Sequence, residues 1–119
     1  MTPEELKART KKFALRVLKL ADSLPRNPSG RTFSSQIADS GTSVASNYRA
    51  ACKARSRREF IAKLGIAEEE GDETQFWLEM IMESELLPAK RLQSLHQEAR
   101  EITAILAASR KSAASGDGK

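Results

Sequence analysis

The chain has one cysteine, Cys52, so no internal disulfide can form. A lone cysteine neither demands nor forbids a reducing compartment. Its one histidine, His96, excludes the paired Glu-x-x-His motifs of di-iron bundles, and position 93 is Gln. Glycines and prolines are few, and most fall at ends or connections: Pro3, Pro25, Pro28 and Pro88, with Gly30, Gly41, Gly65, Gly71, Gly116 and Gly118. No run of 18 apolar residues exists, and the opening MTPEELKARTKK lacks the apolar centre of a signal peptide, so a cytoplasmic, soluble protein with no membrane association is expected. There is no Gly-rich phosphate loop.

What remains is dominated by Ala, Leu, Glu, Lys and Arg, a profile that suits an all-α protein. At 119 residues it is a single domain, large enough to bury roughly two-thirds of its unfolded surface. Charge is segregated: residues 1–63 hold 14 Lys/Arg against 5 Asp/Glu, and residues 64–87 hold 8 acids and no base. Blocks this distinct call for partners within the fold, between subunits or on a polyanion.

Four amphipathic stretches are legible. Thr2, Pro3 and Glu5 form a capping box for the first, whose stripe is Leu6, Thr10, Phe13, Val17, Leu20 and Leu24 up to Pro25. PRNPSGR reads as a loop. The second helix is expected from about Phe33 to Ala54, with Ile37, Gly41, Val44, Tyr48 and Ala51 inward. Ser56 and Glu59 make a second capping box, opening a helix through Phe60, Leu64, Ala67, Gly71, Thr74, Leu78 and Ile81 to about Leu87. The fourth carries Leu92, Leu95, Ala99, Ile102 and Leu106. The expected architecture is an antiparallel up-down-up-down four-helix bundle over residues 1–109, with residues 110–119 a disordered polar tail. Antiparallel pairing about the Arg55–Ser56 turn sets Gly41 level with Gly71, which suggests two facing glycines and close approach of the second and third helices there.

Catalytic constellations do not emerge. His96 beside Leu92 and Ala99 reads as a partly buried, satisfied side chain, and Cys52 among alanines as packing. The acids from Glu68 to Glu73 sit mid-helix and point in different directions, unlike the ligands of a calcium loop. No enzyme, metal, cofactor or small-molecule substrate is expected.

Two groups of residues remain as site candidates. Arg49, Lys53, Arg55, Arg57 and Arg58 cluster around one helix junction and form the candidate nucleic-acid-binding set. Arg57 and Arg58 lie in a first turn, where the helix dipole disfavours cations, so their own contribution to helix stability is expected to be slightly unfavourable. On the third helix Ile66, Trp77 and Met80 flank the main stripe, and Phe76 points almost opposite it. Together with Leu15 among the lysines of the first helix, Glu70, Glu73, Phe76 and Trp77 suggest a head-to-tail oligomer interface, with Glu69 a further acid there. The same bases could instead serve subunit contacts, so a nucleic-acid-binding accessory protein and a protein-interaction scaffold both stand open.

The stretch QIADSGTSVASNYRAACKARSRREFIAKLGIAEEEGDETQFWLEMIMES resembles the core of the four-helix-bundle family of 23S rRNA intervening-sequence proteins. The carrying motifs are S-x-x-x-N-Y-R-A-A at Ser43–Ala51, S-x-x-E-F at Ser56–Phe60, Lys63, and E-E-x-D-E-x-x-x-W-L-E at Glu69–Glu79, within a likeness over about residues 9–108. Where many members carry Asn-Ile-Ala-Glu-Gly, this chain has Asn47-Tyr48-Arg49-Ala50-Ala51. The resemblance implies an antiparallel bundle that assembles into a barrel-like pentamer. Some members are encoded within insertions in large-subunit rRNA genes. A related bundle is an accessory protein of diversity-generating retroelements that binds nucleic acid and a reverse transcriptase. The resemblance thus implies further copies of the chain as partners and adds RNA or DNA as a candidate class, with the protein-interaction scaffold still open.

Overall fold

The computed structural model describes residues 1–116. Its four helices are α1 (Pro3–Asp22), α2 (Pro28–Cys52), α3 (Arg57–Glu83) and α4 (Ala89–Ser115). Each packs on its neighbours in sequence, and α4 closes back on α1. The diagonal pairs α1–α3 and α2–α4 stay farther apart, backbone to backbone, than the neighbouring pairs, as in an up-down-up-down bundle. It is about twice as long as wide, 48 × 21 × 20 Å.

The helix starts follow from local chemistry. Thr2 Oγ1 accepts the Glu5 backbone N–H at 3.1 Å, and the Glu5 carboxylate takes the Thr2 backbone N–H at 2.8 Å, a complete capping box. At α3 only half of the expected box forms: Ser56 Oγ accepts from the Glu59 backbone N–H at 3.0 Å. The stretch expected as a loop before Phe33 is partly helical. Asn27 Oδ1 accepts the Gly30 backbone N–H at 2.8 Å and Pro28 takes the first helical position, so α2 begins five residues early. The turn residues there are a cap and an N-terminal proline.

The helix ends also differ from the sequence expectation. α2 stops at Cys52, short of Ala54. α3 stops at Glu83 rather than near Leu87, because Glu85 adopts a left-handed backbone with φ 59°. That conformation costs a non-glycine residue about 1–2 kcal/mol, and it turns Leu87 into the core and Leu86 against it. α4 continues through Ser115 to a left-handed Gly116 cap, with Ala113 buried. Residues 110–116 are thus helix and cap, not disordered tail, and 117–119 lie outside the described residues. Packing of Ala113 at the bundle end extends the helix past the last large apolar side chain.

The predicted stripes form the core. Phe13, Val17, Ile37, Val44, Leu64, Leu78, Ile81, Leu92, Ile102 and Leu106 are fully buried. Thr74 and Ser40 join their hydroxyls across the α2–α3 interface at 2.9 Å, with the Glu70 and Ile37 carbonyls beside them as further acceptors. Among the described residues no buried side-chain polar atom lacks a partner.

Gly41 and Gly71 do not face each other. A Cβ on Gly41 would come within 2.6 Å of Val17 of α1, and one on Gly71 would collide with the Thr103 hydroxyl of α4. Each glycine admits a side chain from the neighbour on its other flank. The helical wheel had placed both on inward stripes, but an inward stripe meets two neighbours, and the period alone does not choose between them.

The α1–α4 seam is the thinnest of the four. Long side chains bridge it: the Arg9 guanidinium binds Glu98 through two bonds of 2.8 and 2.7 Å and Glu101 at 2.9 Å, and Arg16 reaches Ser94. The Arg9 bonds hold the Glu98 carboxyl below its ordinary value of 4.5. Glu101 is lowered too, first by Gln97 and then by Arg9.

Two predictions arise here. Gly41→Ala should gain about 1 kcal/mol of helix propensity yet lose about 1–3 kcal/mol to overpacking against Val17, giving a net fall in stability. Combining it with Val17→Ala should give less damage than the two single losses added; strict additivity by chemical denaturation would count against the contact. For Glu98, a folded-state value below the unfolded one means the stabilisation is present above about pH 4.5 and disappears as pH falls through the lowered value. Glu98→Gln should therefore cost up to about 1 kcal/mol near neutrality. Melts taken across the acid range should show that difference shrinking as pH drops.

Candidate nucleic-acid interface

The up-down order brings four helix ends together: the starts of α1 and α3 and the finishes of α2 and α4. A four-residue linker, 53–56, turns the chain from α2 into α3 at this end. Arg49, Lys53, Arg55, Arg57 and Arg58 are all exposed around it. They crown the end rather than share one flat face. Arg49 lies in the last turn of α2 and Lys53 caps its end, Arg55 is in the linker, and Arg57 turns towards α4.

Three bases elsewhere are held in ion pairs. Arg9 is matched by Glu98 and Glu101, Arg110 by Glu68 and Lys7 by Glu4. Among the described residues none of the five junction bases meets a carboxylate. Arg57 donates from Nε to the Ala113 carbonyl at 2.6 Å, in the last turn of α4. A helix C-terminus favours a cation, so the unfavourable start of α3 is offset by the finish of α4. This corrects the expectation that Arg57 brings no structural benefit: its partner lies in the last turn of α4, beyond the expected end of the bundle at residue 109.

A cleft of about 860 Å³ opens at the same end. Tyr48 and Cys52 of α2, Arg57 and Phe60 of α3, and Ala113 of α4 line it. Burial, followed by the neighbouring Cys52 thiol, pushes the Tyr48 phenol above its ordinary value of 10.0, so it is neutral at physiological pH. The sequence reading missed this cleft because its walls come from three separate stripes and from the end of α4.

The proposed interface residues separate into two places. Glu70, Glu73, Phe76 and Trp77 occupy consecutive turns of α3. Trp77 donates from Nε1 to Glu73 at 3.3 Å, packs its ring 5.9 Å from that of Phe33, and meets Phe76 edge-on at 4.9 Å. It is half-buried, whereas Phe76 stays 49% exposed. Burial, then the charges of Glu73, Glu69 and Asp39, push the Glu70 carboxyl upward. Leu15, 60% exposed, stands apart on α1, which lies diagonally across the bundle from α3. His96 hydrogen-bonds Glu79 at 2.9 Å across the α3–α4 seam. Among the described residues no group of His, Cys, Asp or Glu could hold a metal ion, and no helix is long and apolar enough to cross a membrane.

Arg57→Ala should destabilise the protein by about 1 kcal/mol through loss of a charge-assisted bond at the α4 terminus. Arg58→Ala should stay within about 0.5 kcal/mol of the parent. Equal denaturation midpoints for the two variants would contradict the assigned role of Arg57.

The family model described as 23S rRNA-intervening sequence protein matches residues 5–108. No curated protein matches the chain. Among solved structures, a protein of unknown function from the S23 ribosomal protein family of Bacteroides thetaiotaomicron is similar, with a TM-score of 0.86 and 34% sequence identity. The match covers 93% of this chain and 99% of that one. With its bundle topology, its junction and the match over most of its length, this chain belongs to the 23S rRNA-intervening sequence protein family.

Proposed function

We propose that the protein is a non-enzymatic, self-associating polynucleotide-binding protein whose junction end contacts phosphates. The observation that carries the reading is the grouping of bases at the crown. Arg49, Lys53, Arg55 and Arg58 are exposed, stand around one helix junction and meet no acid among the described residues. Exposed, unpaired guanidinium and ammonium groups grouped at one end favour a ligand with repeated anionic charge. No base-reading motif accompanies them, so affinity rests on phosphate neutralisation and counterion release.

The acid-rich flank of α3 supports self-association. Glu70 sits among Glu69, Glu73 and Asp39, beside exposed Ile66, Phe76 and Met80. A second copy that brings Leu15 and the lysines of α1 to this flank would relieve the crowded negative charge and cover apolar surface. The assembly number implied by the family resemblance is five. Repetition of the crown around such a ring would multiply the number of phosphates held.

One double substitution tests the two roles separately. Arg55→Gln/Arg58→Gln should weaken RNA or DNA binding and flatten the slope of log K against log salt by about 0.7–0.9 per lost phosphate contact. Its sedimentation should match the parent. Dissociation of the assembly by this change would assign the bases to subunit contacts and favour a protein-interaction scaffold. Absence of polynucleotide binding by the parent protein at low salt would overturn the phosphate reading.

A further inference from the structure

At the end of the bundle that carries the crown, a cleft lined by Arg57 has suitable size and chemistry for a ligand. Its volume, about 860 Å³, lies within the range of about 300–1,000 Å³ common to small-molecule sites. The walls are mainly apolar, and two aromatic side chains from different helices border it: buried Tyr48 and half-buried Phe60. Polar handles are few and available. The Arg57 guanidinium is anchored through Nε, and its two Nη groups take no hydrogen bond among the described residues. The Ser109 and Ser112 hydroxyls also line the cleft.

The surrounding charge narrows the choice of occupant. Residues 1–8, 49–63 and 108–116 build this end, and they hold nine Lys/Arg against three Glu. A lone carboxylate or phosphate would need one or two of those bases. A polyanion can use the seven that stand outside the Lys7–Glu4 and Arg110–Glu68 pairs. An apolar, aromatic-bordered cavity beside such a crown matches a flat group with a π-face and polar edges, carried on a chain of phosphates. In a duplex the bases are stacked and paired, and bringing one out costs a few kcal/mol; in a single strand it is free to turn outward.

We propose that the cleft takes an unpaired nucleobase of a single-stranded polynucleotide, seated against Phe60, while Arg57 and the crown hold the flanking phosphates. The inference rests on the polynucleotide reading and adds a strand preference to it. The base is held by its face, so selectivity among the four bases is weak, and RNA and DNA single strands share the required chemistry.

The test is fluorescence anisotropy with labelled RNA and DNA strands of about 20 nucleotides, enough to span a single-strand site of about 4–16 nucleotides, and with the matching duplex. The parent protein should bind single strands at least about 10-fold more tightly than duplex, since opening a base pair costs a few kcal/mol. Phe60→Leu keeps apolar bulk but removes the stacking face. It should lower single-strand affinity by about 5- to 30-fold, in line with the loss of one stacked base, and leave duplex binding and the salt slope unchanged. Ala108→Trp, at an exposed position lining the cleft, should fill the cavity and give the same loss without disturbing the core. Comparison of the RNA and DNA arms shows which sugar is preferred. Equal binding of single strand and duplex by the parent, or parental single-strand affinity in the Ala108→Trp variant, would overturn the proposal while leaving the phosphate-driven reading intact. Failure of the parent to bind either form would remove both.

Discussion

Closure of α4 onto α1 is the constraint on which the rest of this bundle depends. The other three seams join helices that a linker of four or five residues already holds together. The α1–α4 seam joins the first helix to the last and receives no such help, so its contacts must offset the full entropy of bringing distant segments together. It is also the thinnest seam, and it is bridged by reach: Arg9 extends to Glu98 and Glu101, and Arg16 extends to Ser94. If it opened, Phe13 and Val17 on one side and Leu92 and Ile102 on the other would lose cover, at about 1.5–3 kcal/mol for each large side chain exposed. The same closure places Pro3 and the end of α4 across from Tyr48 and Phe60, and so creates the cleft.

Electrostatics divides the molecule into settled and unsettled charge. The settled polar pairs lie at the seams: the ion pairs of Arg9 with Glu98 and Arg110 with Glu68, and the hydrogen bond of His96 with Glu79. Each bridges two helices, and the partly buried Arg9 pair is held by two hydrogen bonds that lower the acid. Unsettled charge gathers at the crown, where five bases stand without acids, on exposed Lys11, Lys12 and Lys19 of α1, and on the α2-facing flank of α3, where Glu70 is raised by burial and by its acidic neighbours. At 1.5 Å per residue the acids stand about 15–20 Å along the axis from the crown, too far for direct pairing within one chain. The two proposed roles belong to the crown and to the acidic flank of α3.

The 3.6-residue period made the four helices and their inward residues legible, because Leu, Ile, Val and Phe at steps of three and four have one low-energy orientation in any bundle. The capping box at Thr2 and the exposed bases of the junction were equally local, and so was the family resemblance in the Tyr48 and Trp77 motifs. Element ends were less legible. Asn27 and Pro28 look alike in a loop and in a helix start, and the left-handed backbone at Glu85 has no residue signature.

Sequence alone determined the helical class, the inward stripes, the segregation of charge and the grouping of bases at one turn, since each depends on neighbours within a few residues. Only the tertiary structure decided which neighbour each stripe meets. It sent the space above Gly41 to Val17 and that above Gly71 to Thr103, drew Trp77 against Phe33, tied Arg57 to the Ala113 carbonyl and enclosed a cleft between Tyr48 and Phe60. These contacts join residues far apart in the chain, and their choice depends on the rotation of each helix about its own axis. That rotation is set by the packing of all four helices at once.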